Sequence, residues 1–500
     1  MSTSMVSYQV EGATRAGGKG PSIWDTYCEK YAGKIADGSN GDPGAGSYYR
    51  YKEDVQLLAD IGLNAYRFSI SWPRVLPKGR GQPNAEGINY YHKLIDELKN
   101  HGIEPYVTLF HWDVPQALED EYGGFLSRKI VEDYKNYVKL CFEEFGSKVK
   151  HWITMNEPLM FSSRGYSLGT FAPGHCTPDL NVNGLDYTCP TGDSLREPYK
   201  VSHNILLAHA EAVNLYKTQY QAKQRGKVGI TLNSNWFEPY DDSPPNQEAQ
   251  QRALDFNLGW YLDPLKFGDY PFSMRALVGD RLPKFTPEES LKLIDSFDFI
   301  GLNYYTSRYA KHVPYNYNDK LETSDDDPHV KILVKRAGVP IGPAEPQSWV
   351  NVYPKGLKKL LLHIKKRYNN PPIYITENGV FESTNDKSKS TPTDDIYRSE
   401  YHTSHLLELE HALSNNVDVK GYFVWSLFDS FEWNSGYTAR FGLIYIDNDN
   451  LHGPDLRRIP KESARWLKRH LRIIKDQQVV PVPLLKEEVA APVTASISNP

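Results

Sequence analysis

Ile373-Tyr374-Ile375-Thr376-Glu377-Asn378-Gly379 is the stretch on which the reading of the fold turns. Pro371 and Pro372 precede it, and Ile, Tyr, Ile and Thr fit the pleat of a short buried strand. Where the apolar run ends come an acid, an amide and a glycine. An acid at the carboxyl end of a buried strand sits at the rim of a sheet, where α/β folds place their chemistry. A lone glutamate there is by default a salt-bridged loop carboxylate. A second stretch of the same shape changes the balance. His151-Trp152-Ile153-Thr154-Met155-Asn156-Glu157-Pro158 also runs from strand into an amide, an acid and a breaker. Two such carboxylates suggest an acid/base pair.

Glycine and proline punctuation divides the chain into alternating strands and helices. Strands are expected at Ala65–Ile70, Tyr106–Phe110, around Trp152, and at Val228–Leu232, Phe297–Leu302, Ile373–Thr376 and Val419–Leu427. Between them lie helical patterns at Tyr51–Ile61, around Ile88, Tyr91, Ile95 and Leu98, and after Ser127, a candidate N-cap. Further patterns cover Val201–Tyr220, Lys355–Tyr368 and Arg398–Ser414. Strands joined by helical crossovers make a parallel sheet. One more strand before Gln9 closes it into a (β/α)8 TIM barrel, a single α/β domain with loop insertions, over residues 1–475. Asn316–Gln347 reads as a polar loop beside the mouth. Residues 476–500 lack amphipathic period and read as a tail.

Net charge is −5 and pI about 6.3, so the whole chain offers no pull toward nucleic acid. No run approaches the roughly 20 apolar residues that span a bilayer. Neither a strand–GxGxxG–helix unit nor a P-loop is present, and the cysteines form no metal pattern, so no cofactor or metal is expected. Met1–Met5 leads straight into the first motif without a signal peptide, which gives an expectation of a cytoplasmic protein. Oligomeric state stays open, with a homodimer among the options. Cys28 and Cys141 read as small buried apolar residues. Cys176 and Cys189 bracket a polar, aperiodic loop that a bridge would restrain in an oxidising compartment and that would keep two thiols in a reducing one.

The TMNEP and ITENG stretches together resemble glycoside hydrolase family 1, the β-glucosidase family. Tyr8-Gln9-Val10-Glu11-Gly12-Ala13 opens the resemblance, which runs to about Leu471. Plant-like wording appears in Gly20-Pro21-Ser22-Ile23-Trp24-Asp25, in Leu109-Phe110-His111-Trp112-Asp113 and in Gly436-Tyr437-Thr438-Ala439-Arg440-Phe441-Gly442. The resemblance implies a (β/α)8 barrel and a retaining β-glucosidase with a small-molecule β-glucoside as partner. The stretch around LFHWD is similar to plant enzymes acting on alkaloid glucosides. Plant members also carry a bridge at the positions of Cys176 and Cys189. Family members begin with a longer segment that makes the first strand. That strand is therefore expected to be truncated here, with Ser4–Tyr8 available for it, and failure to form it would leave unpaired barrel edges.

Breaking a glycosidic bond needs one carboxylic acid and one carboxylate flanking it. By resemblance Glu157 is the acid/base and Glu377 the nucleophile. Glu377 then needs donors, and Arg67 and Tyr305 lie on neighbouring strand ends in this topology. Asn156 can hold the sugar 2-hydroxyl, and Asn303 ends the strand before Tyr305. Gln9, His111 and Glu432 match the positions that grip the sugar, with Trp425 as ring platform and Trp433 beside Glu432. Trp349 resembles an aglycone-facing aromatic and Phe441 a sugar-facing one. A core salt bridge competes for Arg67, a satisfied rim histidine for His111, and a core tryptophan for Trp425. A transglucosidase, or an inactive sugar-binding relative, remains an alternative to hydrolysis.

Overall fold

The computed structural model describes residues 1–182, 185–316, 320–383, 391–447 and 456–479. Eight parallel strands close a barrel in chain order. They are β1 (Ser2–Ser4), β2 (Ala65–Ser69), β3 (Glu104–Thr108), β4 (His151–Asn156), β5 (Lys227–Asn233), β6 (Phe299–Asn303), β7 (Ile373–Asn378) and β8 (Val419–Val424). Each expected strand is found, displaced by a few residues at its ends.

The first strand is short, three residues, and it pairs on both sides and closes the ring, so the unpaired edges that its loss would leave are not present. It lies at Ser2–Ser4, and of the Ser4–Tyr8 segment offered for it from sequence only Ser4 is in the strand, Ser7 and Tyr8 falling in a helical turn, Ser7–Val10. Ser2 and Thr3 pair with Phe423 and Val424 of β8, and Thr3 and Ser4 with Tyr66 and Arg67 of β2. Three residues suffice because their side chains bond across the strands as well. Thr3 Oγ1 donates to the Val424 carbonyl at 2.9 Å and Ser4 Oγ to the Thr376 carbonyl at 2.7 Å.

The barrel interior is layered. Ala65, Tyr106, Ile153, Phe299, Tyr374 and Phe423 form one apolar cluster at the amino-terminal end, a packed plug as barrels of this kind require. Two residues further along β2, β3, β6 and β7 the same positions are polar or empty: Arg67, Thr108, Gly301 and Thr376, with Thr231 of β5 paired beside Gly301. Above that layer the pairing slips. Register shifts fall between Ile153 and Asn156 on β4 and between Ile375 and Glu377 on β7. Such irregularities re-aim the next side chain, and here they come just before the two carboxylates.

Helices Ser47–Ile61, Ala85–Asn100, Lys129–Phe145, Glu197–Leu215, Pro354–Tyr368 and Ile396–Ser414 cover the barrel where the apolar period placed them. The third begins at Lys129 with Arg128, not Ser127, at the N-cap; the Ser127 hydroxyl, one residue earlier, still accepts from the Lys129 N–H at 3.3 Å. Four short helices between β5 and β6 (Pro244–Leu254, Trp260–Phe267, Phe272–Val278 and Pro287–Leu293) have no counterpart in the sequence reading. The stretch expected as a polar loop is partly sheet: Val330–Leu333 pairs with Ser307–His312, which pairs with Trp236–Pro239. The last helix runs Glu462–Val479, and the rest of the 476–500 segment lies outside the described residues. No helix among the described residues is long and apolar enough to cross a membrane.

Candidate active site

Glu377 ends β7 buried, and both its oxygens are engaged. Arg67 Nη1 donates to Oε1 at 2.5 Å and Tyr305 OH donates to Oε2 at 2.6 Å. Burial and the charges of Glu377 and Glu157 push the Tyr305 phenol well above its usual range, so it stays a donor. The flanking residues hold the strand end rigid. Asn378 donates to the Tyr304 carbonyl at 2.6 Å and to Tyr401 OH at 2.9 Å, and accepts from Tyr422. At Gly379 a Cβ would lie 2.1 Å from the Trp425 carbonyl oxygen, so only glycine lets β7 and β8 approach there.

Glu157 follows β4 in a left-handed conformation, φ 43°. Its N–H is tied to the Thr231 carbonyl at 2.9 Å, and its Oε1 accepts from Asn303 Nδ2 at 2.5 Å. Burial raises its carboxyl well above the ordinary 4.5, and the negative charge of Glu377 raises it further; Asn303 and Arg67 oppose both. The site thus holds a carboxylate gripped by donors beside a carboxyl driven toward its protonated form. Trp112 and Trp433 also have positive φ, 76° and 52°. Left-handed non-glycine residues cost about 1–3 kcal/mol each and gather at functional sites.

Arg67 sets the hydrogen-bond directions of the neighbouring side chains. A guanidinium only donates, so the Asn156 atom 2.5 Å from Arg67 Nη2 is the oxygen. Asn156 Nδ2 then faces His111 Nε2 at 2.9 Å. Burial and Arg67 hold the imidazole pKa well below its usual value, so the ring is neutral. Nε2 accepts from the amide, and the proton sits on Nδ1. That Nδ1, both amide atoms of Gln9 and Oε1 of Glu432 are buried without a hydrogen-bond partner among the described residues. Burial above all, then Glu377, raises Glu432 strongly. Gln9 and Trp425 lie beside its carboxyl and moderate that rise. Several uncommitted donors and acceptors in one mouth suit a ligand rich in hydroxyls.

The aromatic residues divide into two groups. Trp433 packs into a buried cluster, 4.6 Å from Trp112, 4.7 Å from Trp24 and 6.0 Å from His111, ring centre to ring centre. Trp425 is buried as well. Trp349 is 50% exposed and lies 5.5 Å from Tyr305. Phe381 joins it to Phe441, which is itself 6.0 Å from Tyr305. Arg398, buried, fixes this side by donating to the Val380, Phe441 and Arg440 carbonyls. The structure therefore brings Arg67, His111, Asn156, Glu157, Asn303, Tyr305 and Glu377 into one bonded network. It sets Gln9, Trp425 and Glu432 in one group beside it and Trp349 with Phe441 at the rim. Trp112, which donates to the Asn156 carbonyl at 2.8 Å, and Phe381 were not singled out from sequence. The LFHWD motif carried the signal for the first.

Cys176 and Cys189 are bridged, with Cα atoms 5.5 Å apart, and Cys28 and Cys141 are buried thiols. Among the described residues no group of His, Cys, Asp or Glu is arranged to hold a metal ion.

Two carboxyl groups in contrasting environments at the carboxyl end of a closed barrel, ringed by hydroxyl-binding groups and aromatics, define a barrel glycosidase. The chain belongs to glycosyl hydrolase family 1, whose sequence model matches residues 1–477. It is similar to a furostanol glycoside 26-O-β-glucosidase of Hellenia speciosa, 56% identical over 468 residues that cover 93% of this chain and 81% of that one. β-Glucosidase 24 of Oryza sativa subsp. japonica is 54% identical over 472 residues, 94% of this chain and 92% of that one. Among solved structures, the rice β-glucosidase Os3BGlu6 superposes with a TM-score of 0.89 at 45% identity, covering 93% of this chain and 96% of that one. A variant of that rice enzyme has been solved in a covalent complex with glucose. The present chain is accordingly a glycosidase of the β-glucosidase type.

Proposed function

We propose that the protein hydrolyses the β-D-glucoside of a small apolar plant metabolite by double displacement, with Glu377 as nucleophile and Glu157 as acid/base. The contrast between the two carboxyls carries the reading. Glu377 has an arginine and a tyrosine aimed at its oxygens. Glu157 is raised toward the acid form by burial and by Glu377. Glu377 attacks the anomeric carbon while Glu157 gives its proton to the leaving oxygen. Forming the glycosyl ester consumes the charge of Glu377. One of the two causes that raise Glu157 then disappears, and the same group becomes a base for the incoming water. The covalent complex of the rice relative with glucose supports this course. Asn156, held by Arg67, is placed to bond the 2-hydroxyl, and His111 Nδ1–H, Gln9 and Glu432 offer bonds to the other hydroxyls.

The aglycone side of the proposal rests on Trp349. It is half exposed and continues into Tyr305, Phe381 and Phe441, an apolar face at the rim. The Hellenia relative, named for a furostanol glycoside, supports an apolar aglycone. Trp349→Ala is expected to lower kcat/KM roughly 10-fold for a glucoside with a large apolar aglycone, and to leave methyl β-glucoside nearly unchanged. Steady-state kinetics on the two substrates checks this. An equal loss on both would remove Trp349 from the aglycone site.

A further inference from the structure

Below the carboxylates runs a line of hydroxyls and one amide for which the reaction scheme has no use. Thr231 Oγ1 on β5 donates to Thr376 Oγ1 on β7 at 3.3 Å. Thr376 Oγ1 donates to Asn303 Oδ1 on β6 at 2.7 Å. Asn303 Nδ2 donates to Glu157 Oε1 at 2.5 Å. The first two hydroxyls belong to strands that flank β6 and meet across it. They can meet because β6 carries Gly301 between them. A Cβ at Gly301 would lie 2.2 Å from Thr231 Oγ1 and 2.9 Å from Thr376 Oγ1.

We propose that Thr376 is a positioning residue for the acid/base. Its hydroxyl, seated over Gly301 and backed by Thr231, fixes the Asn303 amide with its nitrogen toward Glu157. This rests on the reading of Glu157 as the acid/base. The amide orientation has a second anchor. Asn156 Oδ1, fixed as an acceptor by Arg67, lies 3.3 Å from Asn303 Nδ2 and leaves no room for an oxygen there. Thr376 holds the opposite end. Without its hydroxyl, Asn303 Oδ1 is a buried carbonyl lacking its donor, and the amide is held only through its nitrogen. The residue before the nucleophile thereby governs the hydrogen bond received by the other carboxyl.

A hydrogen bond donated to a carboxylate favours its ionised form, and Asn303 has that effect on Glu157. The charged and titratable groups that face Glu157 are Glu377 on β7, Arg67 on β2 and Tyr305 after β6. None of them changes in a Thr376 variant. Loss of the relay therefore moves the ionisation of Glu157 upward.

The test is the pH profile of kcat/KM on an aryl β-glucoside for the wild type, Thr376→Val, Thr376→Ala, Thr376→Ser and Glu157→Gln. Thr376→Val keeps the side-chain shape, and Thr376→Ala serves the same comparison if the valine variant does not fold. The expected result is a basic limb displaced upward by about half a pH unit or more in both. In Thr376→Ser, which keeps the hydroxyl, the limb returns to the wild-type position. A role confined to packing would lower the melting temperature without moving the limb. A basic limb unmoved in Thr376→Val and Thr376→Ala, but abolished in Glu157→Gln, overturns the positioning role alone. A limb that survives in Glu157→Gln overturns the acid/base assignment beneath it.

Discussion

Glu377→Gln is expected to lose kcat by roughly 10⁴-fold or more on every β-glucoside, because no other group can form the covalent intermediate. The substitution keeps the shape of the side chain. Its carbonyl oxygen can still accept from Arg67, and its amide can donate to Tyr305 OH. What it removes is the negative charge that balances Arg67, an arginine buried with its partner. Removing one member of a buried ion pair is costly, because the other charge is left uncompensated. A lower melting temperature should therefore accompany the loss of activity. Circular dichroism should still report a folded barrel, since Thr108 and Asn156 continue to hold the guanidinium. Residual activity within 10-fold of wild type would contradict the assignment.

The second large effect depends on the leaving group. Glu157→Gln should slow glucosides of poor leaving groups by about 10²–10⁴-fold, the usual worth of a positioned general acid. Activated aryl glucosides need little protonation, so their glycosylation step should be far less affected. With those substrates the second step becomes limiting, because the water lacks its base. Azide needs no base. Added azide should raise turnover and yield β-glucosyl azide. Steady-state rates across a leaving-group series, with and without azide, measure this. Uniform loss across the series, with no azide effect, would count against Glu157.

Both carboxylates were legible in sequence because each follows an apolar run and precedes a breaker: Glu157 before Pro158, Glu377 before Asn378-Gly379. The order of the strands then placed Arg67 and Tyr305 beside Glu377, and both are bonded to it. The first strand was legible as a strand before Gln9, but its bounds were not. Ser2, Thr3 and Ser4 carry no apolar pattern, and their place depends on hydroxyls meeting the carbonyls of β7 and β8. Between β5 and β6, Pro244–Leu254 and Trp260–Phe267 are joined by a π-helical turn at Asp255–Gly259 that breaks the 3.6-residue period, and Phe272–Val278 and Pro287–Leu293 are too short for a period to show. The direction of hydrogen bonds was beyond sequence altogether. That His111 presents Nδ1–H follows only once Arg67 has fixed the Asn156 oxygen. The layer of Thr231, Gly301 and Thr376 was hidden for a similar reason. Threonine and glycine inside a strand pattern read as ordinary filler until their contacts are known.

The measurement that bears most directly on the central claim is trapping of the covalent intermediate. A 2-deoxy-2-fluoro-β-glucoside with a good leaving group should inactivate the enzyme, because the fluorine slows hydrolysis of the glycosyl ester more than its formation. Digestion and mass spectrometry should then find one 2-fluoroglucosyl group per chain, on the carboxylate of Glu377 in the peptide containing Ile375-Thr376-Glu377-Asn378. The label on another carboxylate, such as Glu432 or Glu157, would contradict the account.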